Sequence, residues 1–188
     1  MTRTPMMTMA PETIETATGE VKAALEATKA RLGFVPNMYG YMGRLPGVLM
    51  GYLSTYDSFR KTAGFVPAEQ EVVFLTISRI NGCTYCMAAH SMIADKMSGV
   101  APDVLAALRA GQILPDARLQ SLSAFTQLMV ETRGNPSKPA VDAFFAAGYG
   151  EQQVLGIVLA IACKTFSNYV NHLAGTPVDL AFAPYSMD

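Results

Sequence analysis

Two cysteines and a histidine lie close together in the sequence, in a pattern that could carry out thiol chemistry. Cys83 and Cys86 form a Cys-x-x-Cys pair, and His90 follows four residues after the second cysteine. In a chain with so few cysteines and histidines, this pattern arises by chance in about one of a few thousand sequences. Residues three or four positions apart share one face of a helix. The spacing therefore permits a disulfide between the two thiols and would also allow His90 to reach the Cys86 sulfur.

The predicted position of the cysteines along their helix favours a thiolate. Gly82 is a strong helix stop, and the next helix is predicted to begin at Cys83, so that both thiols lie in its first turn. The unpaired N–H groups and the dipole of that turn favour negative charge, and they can lower a thiol pKa from about 8.5 to about 7 or below. A thiolate is the nucleophile that attacks peroxides and disulfides.

Glu71 is the third candidate group, because it lies on the helix predicted to precede the cysteine pair. If the two helices fold back on each other, its carboxylate approaches the thiols or His90. There it could orient His90 and accept a proton through it or through water. The alternative interpretation is a glutamate at a helix N-terminus that interacts with the helix dipole, as Glu69 does.

Two other interpretations of the cysteine pair stay open. Cys83, Cys86 and His90 could be three ligands of a structural zinc ion, which needs a fourth ligand. The candidates for that fourth ligand are His172, Cys163, Glu71 and Asp95. Three ligands on one helical face fit a tetrahedral site poorly. Free cysteines are also often buried and inert, and this is the interpretation we favour for Cys163, while His172 is interpreted as structural.

The elements that must position these residues are predicted to be helices throughout. Apolar residues recur with helical spacing, proline and glycine separate the segments, and no run alternates as a strand would. Residues 1–20 are predicted to be a flexible lead-in, and residues 21–188 a single all-α domain. Helices are predicted over 21–32, 45–61, 67–80, 83–96 and 102–110, between 116 and 134, and over 138–147 and 151–173.

One sequence similarity within the chain indicates a duplicated helical hairpin. The segment Glu69–His90 aligns without gaps on Glu151–His172, and both histidines of the chain fall on equivalent positions. The polar positions diverge, so only the first copy keeps ionisable chemistry. Chance similarity between two helices of like composition is the alternative.

Composition excludes several classes of protein. Hydrophobic residues make up 51% of the 188 residues and charged residues only 15%, the reverse of a disordered chain. The net charge of −1 offers no basic field for a nucleic-acid backbone. The apolar run 154–163 is about half as long as a membrane span requires. We expect a cytoplasmic protein without nucleic-acid or membrane partners, and apolar faces buried between subunits.

The segments around these residues resemble the carboxymuconolactone decarboxylase-like family, and within it the alkylhydroperoxidase AhpD-like branch. The resemblance depends on Glu71, on the Cys-x-x-Cys pair and on His90 at the spacing of that branch. Further stretches that look like the family are 33–37, 78–82, 168–172 and 176–179. The resemblance covers most of residues 30–180.

This resemblance implies an AhpD-like helical bundle that forms homotrimers or homohexamers and reduces hydroperoxides with its thiols. It implies no metal and no organic cofactor. By resemblance, Cys86 attacks the peroxide, Cys83 resolves the intermediate, and Glu71 with His90 relays protons. An external dithiol, such as a lipoyl-type one, would restore the pair. The thioredoxin precedent of a reactive first cysteine favours the opposite order of the two thiols.

Tyr85 is the one departure from the branch, whose best-studied members have a histidine at this position. With a pKa of about 10, tyrosine is a poor proton shuttle at neutral pH, so only a weak relay or orienting role is expected of it. The peroxidase activity could then be weaker, or the natural electrophile could differ from a simple alkyl hydroperoxide. The expected substrate is a small hydroperoxide or a disulfide. The alternative functions are a cofactor-free, carboxymuconolactone decarboxylase-like enzyme and a zinc-stabilised interaction module.

Overall fold

The computed structural model describes residues 5–187, which form nine α-helices, one short 3-10 helix and no strand. The all-α prediction is confirmed. The helices are α1 (Gly19–Leu32), α2 (Asn37–Gly43), α3 (Pro46–Thr62), α4 (Pro67–Ile80), α5 (Thr84–Lys96), α6 (Pro102–Ala110), α7 (Ala117–Glu131), α8 (Lys138–Ala146) and α9 (Glu151–Ala174), and the 3-10 helix covers Ala183–Tyr185.

Proline and glycine set most of these boundaries, which is why the sequence predicts them well. Proline occupies the first turn of α3, α4, α6 and α8, where its missing N–H would have no helical partner. Between α4 and α5 the chain turns at Gly82, whose φ of 67° lies in the left-handed region and favours glycine. This turn folds α5 back against α4, so the hairpin that carries Glu71 and the cysteines forms as predicted.

Helix α2 is the element that the sequence does not predict. Its seven residues contain two glycines, which are poor helix formers. Tertiary contacts compensate: Asp179 accepts a hydrogen bond from the first backbone N–H, of Asn37, at 3.0 Å. A side chain at Gly40 would meet the Glu12 carbonyl oxygen at 2.6 Å, so the close approach of residues 5–18 requires glycine there.

The segment 5–18 contacts the helices at several points. The Met6 and Met7 backbone N–H groups both donate to the Leu173 carbonyl oxygen, and the Glu12 carboxylate pairs with Arg44 at 2.6 Å. These contacts hold the segment against α9 and the end of α2.

Helix α9 is the long core helix, and it packs against α2, α3, α4, α5 and α7. It is continuous over Glu151–Ala174, whereas the similar segment Glu69–His90 is broken by the turn at Gly82. The two similar segments therefore differ in structure: the first is a helical hairpin and the second is one continuous helix. Lys164 occupies the position equivalent to Gly82. By length and composition alone, α9 could also cross a membrane, a test that buried core helices pass as well.

Candidate active site

The two thiols lie at the start of α5, as predicted. Cys83 is the N-cap residue, and Cys86 occupies the third position of the helix. Both are reduced and almost fully buried, with exposed fractions of 1% and 2%. The hydrogen bond from the Cys83 backbone N–H to the Ser78 carbonyl oxygen, at 2.9 Å, closes the turn that follows α4. The pair is therefore held on rigid elements, with almost no surface exposed to solvent.

Helix α9 supplies a hydrogen-bond donor between the two sulfur atoms. The Asn171 Nδ2 lies 3.3 Å from the Cys86 Sγ and 3.8 Å from the Cys83 Sγ. It also lies 3.2 Å from the Met38 sulfur. An amide N–H aimed at a sulfur stabilises that sulfur best when it is negatively charged.

The surroundings separate the pKa values of the two thiols. Burial raises the pKa of Cys86, but the hydrogen bond from Cys83 and the positive charge of Lys164 outweigh it and lower this pKa to about 6. The pKa of Cys83 is raised, first by its hydrogen bond to Cys86 and then by burial. At neutral pH, Cys86 is therefore the thiolate and Cys83 the thiol that donates to it.

Glu71 and His90 form a buried pair beside the cysteines. The Glu71 Oε2 lies 2.7 Å from the His90 Nδ1, and the glutamate is fully buried. Burial would raise the pKa of Glu71, but the hydrogen bonds and charges of His90 and Arg60 lower it. Of the two interpretations of Glu71, the structure favours the one in which its carboxylate orients His90.

Arg60 of α3 neutralises this carboxylate from the other side. Its Nη2 lies 2.5 Å from the Glu71 Oε1 and 2.8 Å from the Tyr56 hydroxyl. Its guanidinium stacks over the Tyr56 and Phe74 rings at 4.8 and 5.0 Å. The planar guanidinium group suits such a buried, stacked ion pair.

Lys164 of α9 is the second cation at this site, and it is buried. Its Nζ lies 2.5 Å from the His90 Nε2 and 4.7 Å from the Phe74 ring centroid, and the residue is only 1% exposed. Within residues 5–187, no carboxylate lies within ion-pair distance of its ammonium group. The Cys86 thiolate supplies the negative charge that this cation otherwise lacks.

The two contacts of His90 fix its protonation state and correct one prediction. Nδ1 donates to Glu71, so Nε2 carries the lone pair that accepts from Lys164. Burial, followed by the charge of Lys164, lowers the pKa of His90 to about 4, and the ring is neutral at pH 7. The expectation that His90 could reach the Cys86 sulfur is not met, because both ring nitrogens are engaged by Glu71 and Lys164.

The Tyr85 hydroxyl takes no part in the hydrogen bonds that link Glu71, His90 and Lys164. It donates to the Asp179 Oδ2 at 2.6 Å, and the same carboxylate accepts from the Asn37 backbone N–H. Burial, followed by the charge of Asp179, raises the pKa of Tyr85. Its ring packs edge-to-face against Phe182, so Tyr85 holds the C-terminal segment 177–187 against α5.

A cavity of about 450 Å³ opens onto Cys86. Aromatic and other apolar side chains form most of its wall, and the charged residues that line it are all basic. Among the predicted site residues described above, His90 and Tyr85 also line it, as do Lys164 and Arg60, whereas Cys83 does not. Cys86 is therefore the thiol that a bound molecule would meet.

The remaining candidates lie apart from this chemistry. Cys163 is fully buried, and burial raises its pKa to about 11. The Asp95 carboxylate accepts a hydrogen bond from the Tyr185 hydroxyl near the C-terminus. Within residues 5–187, no group of three or more His, Cys, Asp or Glu side chains is arranged to hold a metal ion. His90, one of the three predicted zinc ligands, is committed to Glu71 and Lys164.

Four residues of the site are missing from the sequence prediction, namely Lys164, Arg60, Asn171 and Asp179. Lys164 leaves a signal in the sequence, since it is a charged residue directly after the apolar run 154–163, and Asn171 and Asp179 lie within stretches that resemble the family. A lysine within the buried face of a core helix requires a partner.

The central part of the chain matches a family model. Residues 51–127, which include Arg60, Glu71, both cysteines of the pair and His90, match the model of the carboxymuconolactone decarboxylase family. The chain is similar to this family over that segment, and the resemblance expected from the sequence is thereby confirmed. No curated protein matches the chain in sequence.

Solved structures show that almost the whole chain has the AhpD-like fold. A peroxidase-related protein with an alkylhydroperoxidase AhpD core, from Ralstonia eutropha JMP134, superposes with a TM-score of 0.82 at 18% identity, over 95% of each chain. A peroxidase-related protein from Silicibacter sp. TM1040 gives 0.71 at 20% identity, over 87% of this chain and 86% of that one.

A third similar structure is a cysteine-to-alanine variant of the debrominase Bmp8, in complex with 2,3,4-tribromopyrrole. It superposes with a TM-score of 0.76 at 17% identity, over 95% of each chain. At these identities the three structures establish the helical fold of the protein.

Proposed function

We propose that this protein is a thiol-dependent peroxidase that reduces organic hydroperoxides with Cys86 and Cys83. The observation that carries the proposal is that the two sulfur atoms differ both in their access to the cavity and in their pKa. Cys86 faces the cavity and has a pKa lowered to about 6, whereas Cys83 lies behind it and has a raised pKa. A thiolate at the base of a cavity, with a thiol three residues away, is suited to two-step reduction of a peroxide.

The first step transfers one oxygen atom. The Cys86 thiolate attacks the distal oxygen of ROOH, an S–O bond forms as the O–O bond breaks, and RO⁻ leaves. Lys164 lines the same cavity, and its ammonium group gives RO⁻ the proton that makes ROH. Cys86 is now a sulfenic acid.

The second step closes the catalytic cycle. The Cys83 thiol attacks the sulfenic sulfur of Cys86, and the disulfide forms with loss of water. An external dithiol then reduces the disulfide by thiol–disulfide exchange. One of its hydrogens returns to Cys83 and the other, as a proton, to Lys164, so that Cys86 is again a thiolate.

The roles of Glu71 and His90 follow from their contacts. Glu71 keeps the His90 ring in the tautomer whose Nε2 accepts from Lys164. In this position His90 orients the ammonium group and can share its proton. We assign both residues to positioning and proton relay, and Tyr85 to anchoring the C-terminal segment.

The test is steady-state consumption of cumene hydroperoxide by the reduced protein, with dihydrolipoamide as the dithiol. We expect turnover in the wild type, complete loss in Cys86→Ser, and turnover in Cys163→Ala, which removes the thiol outside the site. Equal rates for wild type and Cys86→Ser would refute the proposal. If the protein is instead a decarboxylase-like enzyme in which the cysteines have no role, wild type and Cys86→Ser should turn over the decarboxylase substrate at equal rates.

Dehalogenation of an aromatic compound is a second candidate function. It is favoured by the aromatic wall of the cavity together with the similarity of fold to a debrominase that binds 2,3,4-tribromopyrrole. Bromide release from a brominated pyrrole, measured with the same dithiol and the same variants, distinguishes the two reactions. A protein that releases bromide and leaves cumene hydroperoxide intact would overturn our first choice.

A further inference from the structure

The cavity above Cys86 is much larger than a small peroxide requires. Its volume is about 450 Å³, within the range of about 300–1,000 Å³ that is typical of pockets for organic ligands. One water molecule occupies about 30 Å³, so hydrogen peroxide would leave most of this space unfilled. The size indicates a substrate with a substantial organic body.

The wall of the cavity indicates that this body is apolar. The aromatic rings of Phe34, Tyr39, Tyr52 and Phe182 line it, together with thioether and aliphatic groups. Flat aromatic walls bind aromatic or branched hydrocarbon groups through large contact areas. Cys86, His90 and Lys164 supply polar groups to the same cavity.

The charges that line the cavity are all positive, and among the described residues one of them has no ion-pair partner. Arg60 is neutralised by Glu71, and Lys164 by the Cys86 thiolate. The remaining charge is Arg31 at the end of α1, which is exposed and lines the cavity. Within the described residues 5–187, no carboxylate lies within ion-pair distance of Arg31.

We propose that the substrate is an organic hydroperoxide that also carries a carboxylate, and that Arg31 binds this carboxylate. The hydroperoxide group lies at Cys86, the apolar body fills the aromatic wall, and the anionic group pairs with the free guanidinium. This inference rests on the proposed peroxidase function and adds to it the class of substrate. The chemistry at the thiols is unchanged: ROOH becomes ROH, and the cysteine pair becomes a disulfide.

Arg31 also lies in the last turn of α1, where a cation interacts favourably with the helix dipole whatever its role in binding. Lys29 offers a matched control, because it lies in the same last turn and does not line the cavity. A change that removes either charge alters the dipole interaction and the net charge equally. Only the change at Arg31 alters the cavity.

The experiment compares cumene hydroperoxide with para-carboxycumene hydroperoxide, which differs by one carboxylate. The quantity measured is the ratio of the two kcat/KM values, anionic over neutral, in wild type, Arg31→Gln and Lys29→Gln. We expect the ratio to fall about fivefold in Arg31→Gln, the effect of an exposed charge pair. It should stay at the wild-type value in Lys29→Gln, and the wild-type preference should weaken at high salt.

The possible results separate this inference from the proposed function. If Arg31→Gln leaves the ratio unchanged, or if Lys29→Gln lowers it equally, the assignment of Arg31 is wrong while the peroxidase function stands. If the wild type reduces neither hydroperoxide, the peroxidase function itself is wrong.

A binding measurement addresses the carboxylate site without turnover. Calorimetric titration of the reduced protein with para-isopropylbenzoate, a carboxylate that cannot oxidise the thiols, gives its Kd. We expect Arg31→Gln to raise this Kd about fivefold and Lys29→Gln to leave it unchanged. Equal Kd values in all three proteins would overturn the inference even if the wild type is an active peroxidase.

Discussion

Replacement of Lys164 by methionine tests whether a buried cation sustains the Cys86 thiolate. Methionine keeps much of the length and apolar volume of the lysine side chain and removes its charge. Lys164 is 1% exposed and has no carboxylate within ion-pair distance among the described residues. Its charge therefore acts mainly on the thiolate and on the His90 ring.

The expected magnitude follows from the electrostatics of the site. The pKa of Cys86 is about 6, so in about nine-tenths of the molecules this residue is a thiolate at pH 7. A nearby opposite charge lowers the pKa of a thiol by about 1 to 3. With a middle value of about 2, loss of the Lys164 charge raises the pKa of Cys86 to about 8. The thiolate fraction at pH 7 then falls to about one-tenth. Burial, the larger cause of the low pKa of His90, remains, so His90 stays neutral and does not replace the lost charge.

The assay is the rate of Cys86 alkylation by iodoacetamide as a function of pH, with the modified peptide quantified by mass spectrometry. We expect the midpoint for Lys164→Met to rise by about two pH units and the rate at pH 7 to fall about tenfold. Lys164→Arg keeps the charge and should keep the midpoint near the wild-type value. Urea unfolding of each variant establishes that it is folded. A wild-type midpoint in folded Lys164→Met would refute the electrostatic account.

Three further predictions concern stability, measured as the free energy of unfolding in urea. Glu71→Gln leaves the partly buried Arg60 guanidinium without its counter-charge and should lower stability by up to about 3 kcal/mol, the lower end of the range for a broken buried pair. Tyr85→Phe and Asp179→Asn each remove the same hydrogen bond; each should cost about 1 kcal/mol, and the double variant less than their sum. His90 has a folded pKa of about 4, below its unfolded value of about 6.5. The unfolded chain therefore binds more protons, and stability should fall as the pH drops from about 6.5 towards 4.

Each of these predictions has a distinct contrary result. A stable Glu71→Gln protein would mean that the carboxylate does not neutralise Arg60. Additive effects of Tyr85→Phe and Asp179→Asn would show that the two side chains are not coupled. For His90, the matched variant is His90→Gln, whose stability should depend less on pH across the same range. If it follows the wild type, another group causes the loss in acid.

The helices could be predicted because their limits are local. Proline at the start of α3, α4 and α6, and glycine at position 82, act on neighbouring residues, and their effect can be inferred from the sequence. Helix α2 could not be predicted in this way, because its glycine-containing sequence is held in a helix by Asp179 and by the approach of residues 5–18.

The candidate site follows the same rule. Cys83, Cys86 and His90 could be found because they lie within one short segment, and Glu71 because it precedes them on the same hairpin. Lys164 reaches His90 across 74 positions, and Asp179 reaches Tyr85 across 94. Such contacts depend on how α9 and the C-terminal segment pack, which no local pattern specifies. The partner of the His90 Nε2 could not be predicted for the same reason, since it is Lys164 on α9.

The most direct test of the central claim is to map the oxidation products of reduced protein treated with one equivalent of cumene hydroperoxide. Intact mass and peptide mapping should show rapid formation of a Cys83–Cys86 disulfide in the wild type. In Cys83→Ser, dimedone should trap a sulfenic acid on Cys86, and in Cys86→Ser no trapped sulfenic acid should form on Cys83. Thiols that stay reduced over many minutes, or a sulfenic acid that forms first on Cys83, would contradict the account.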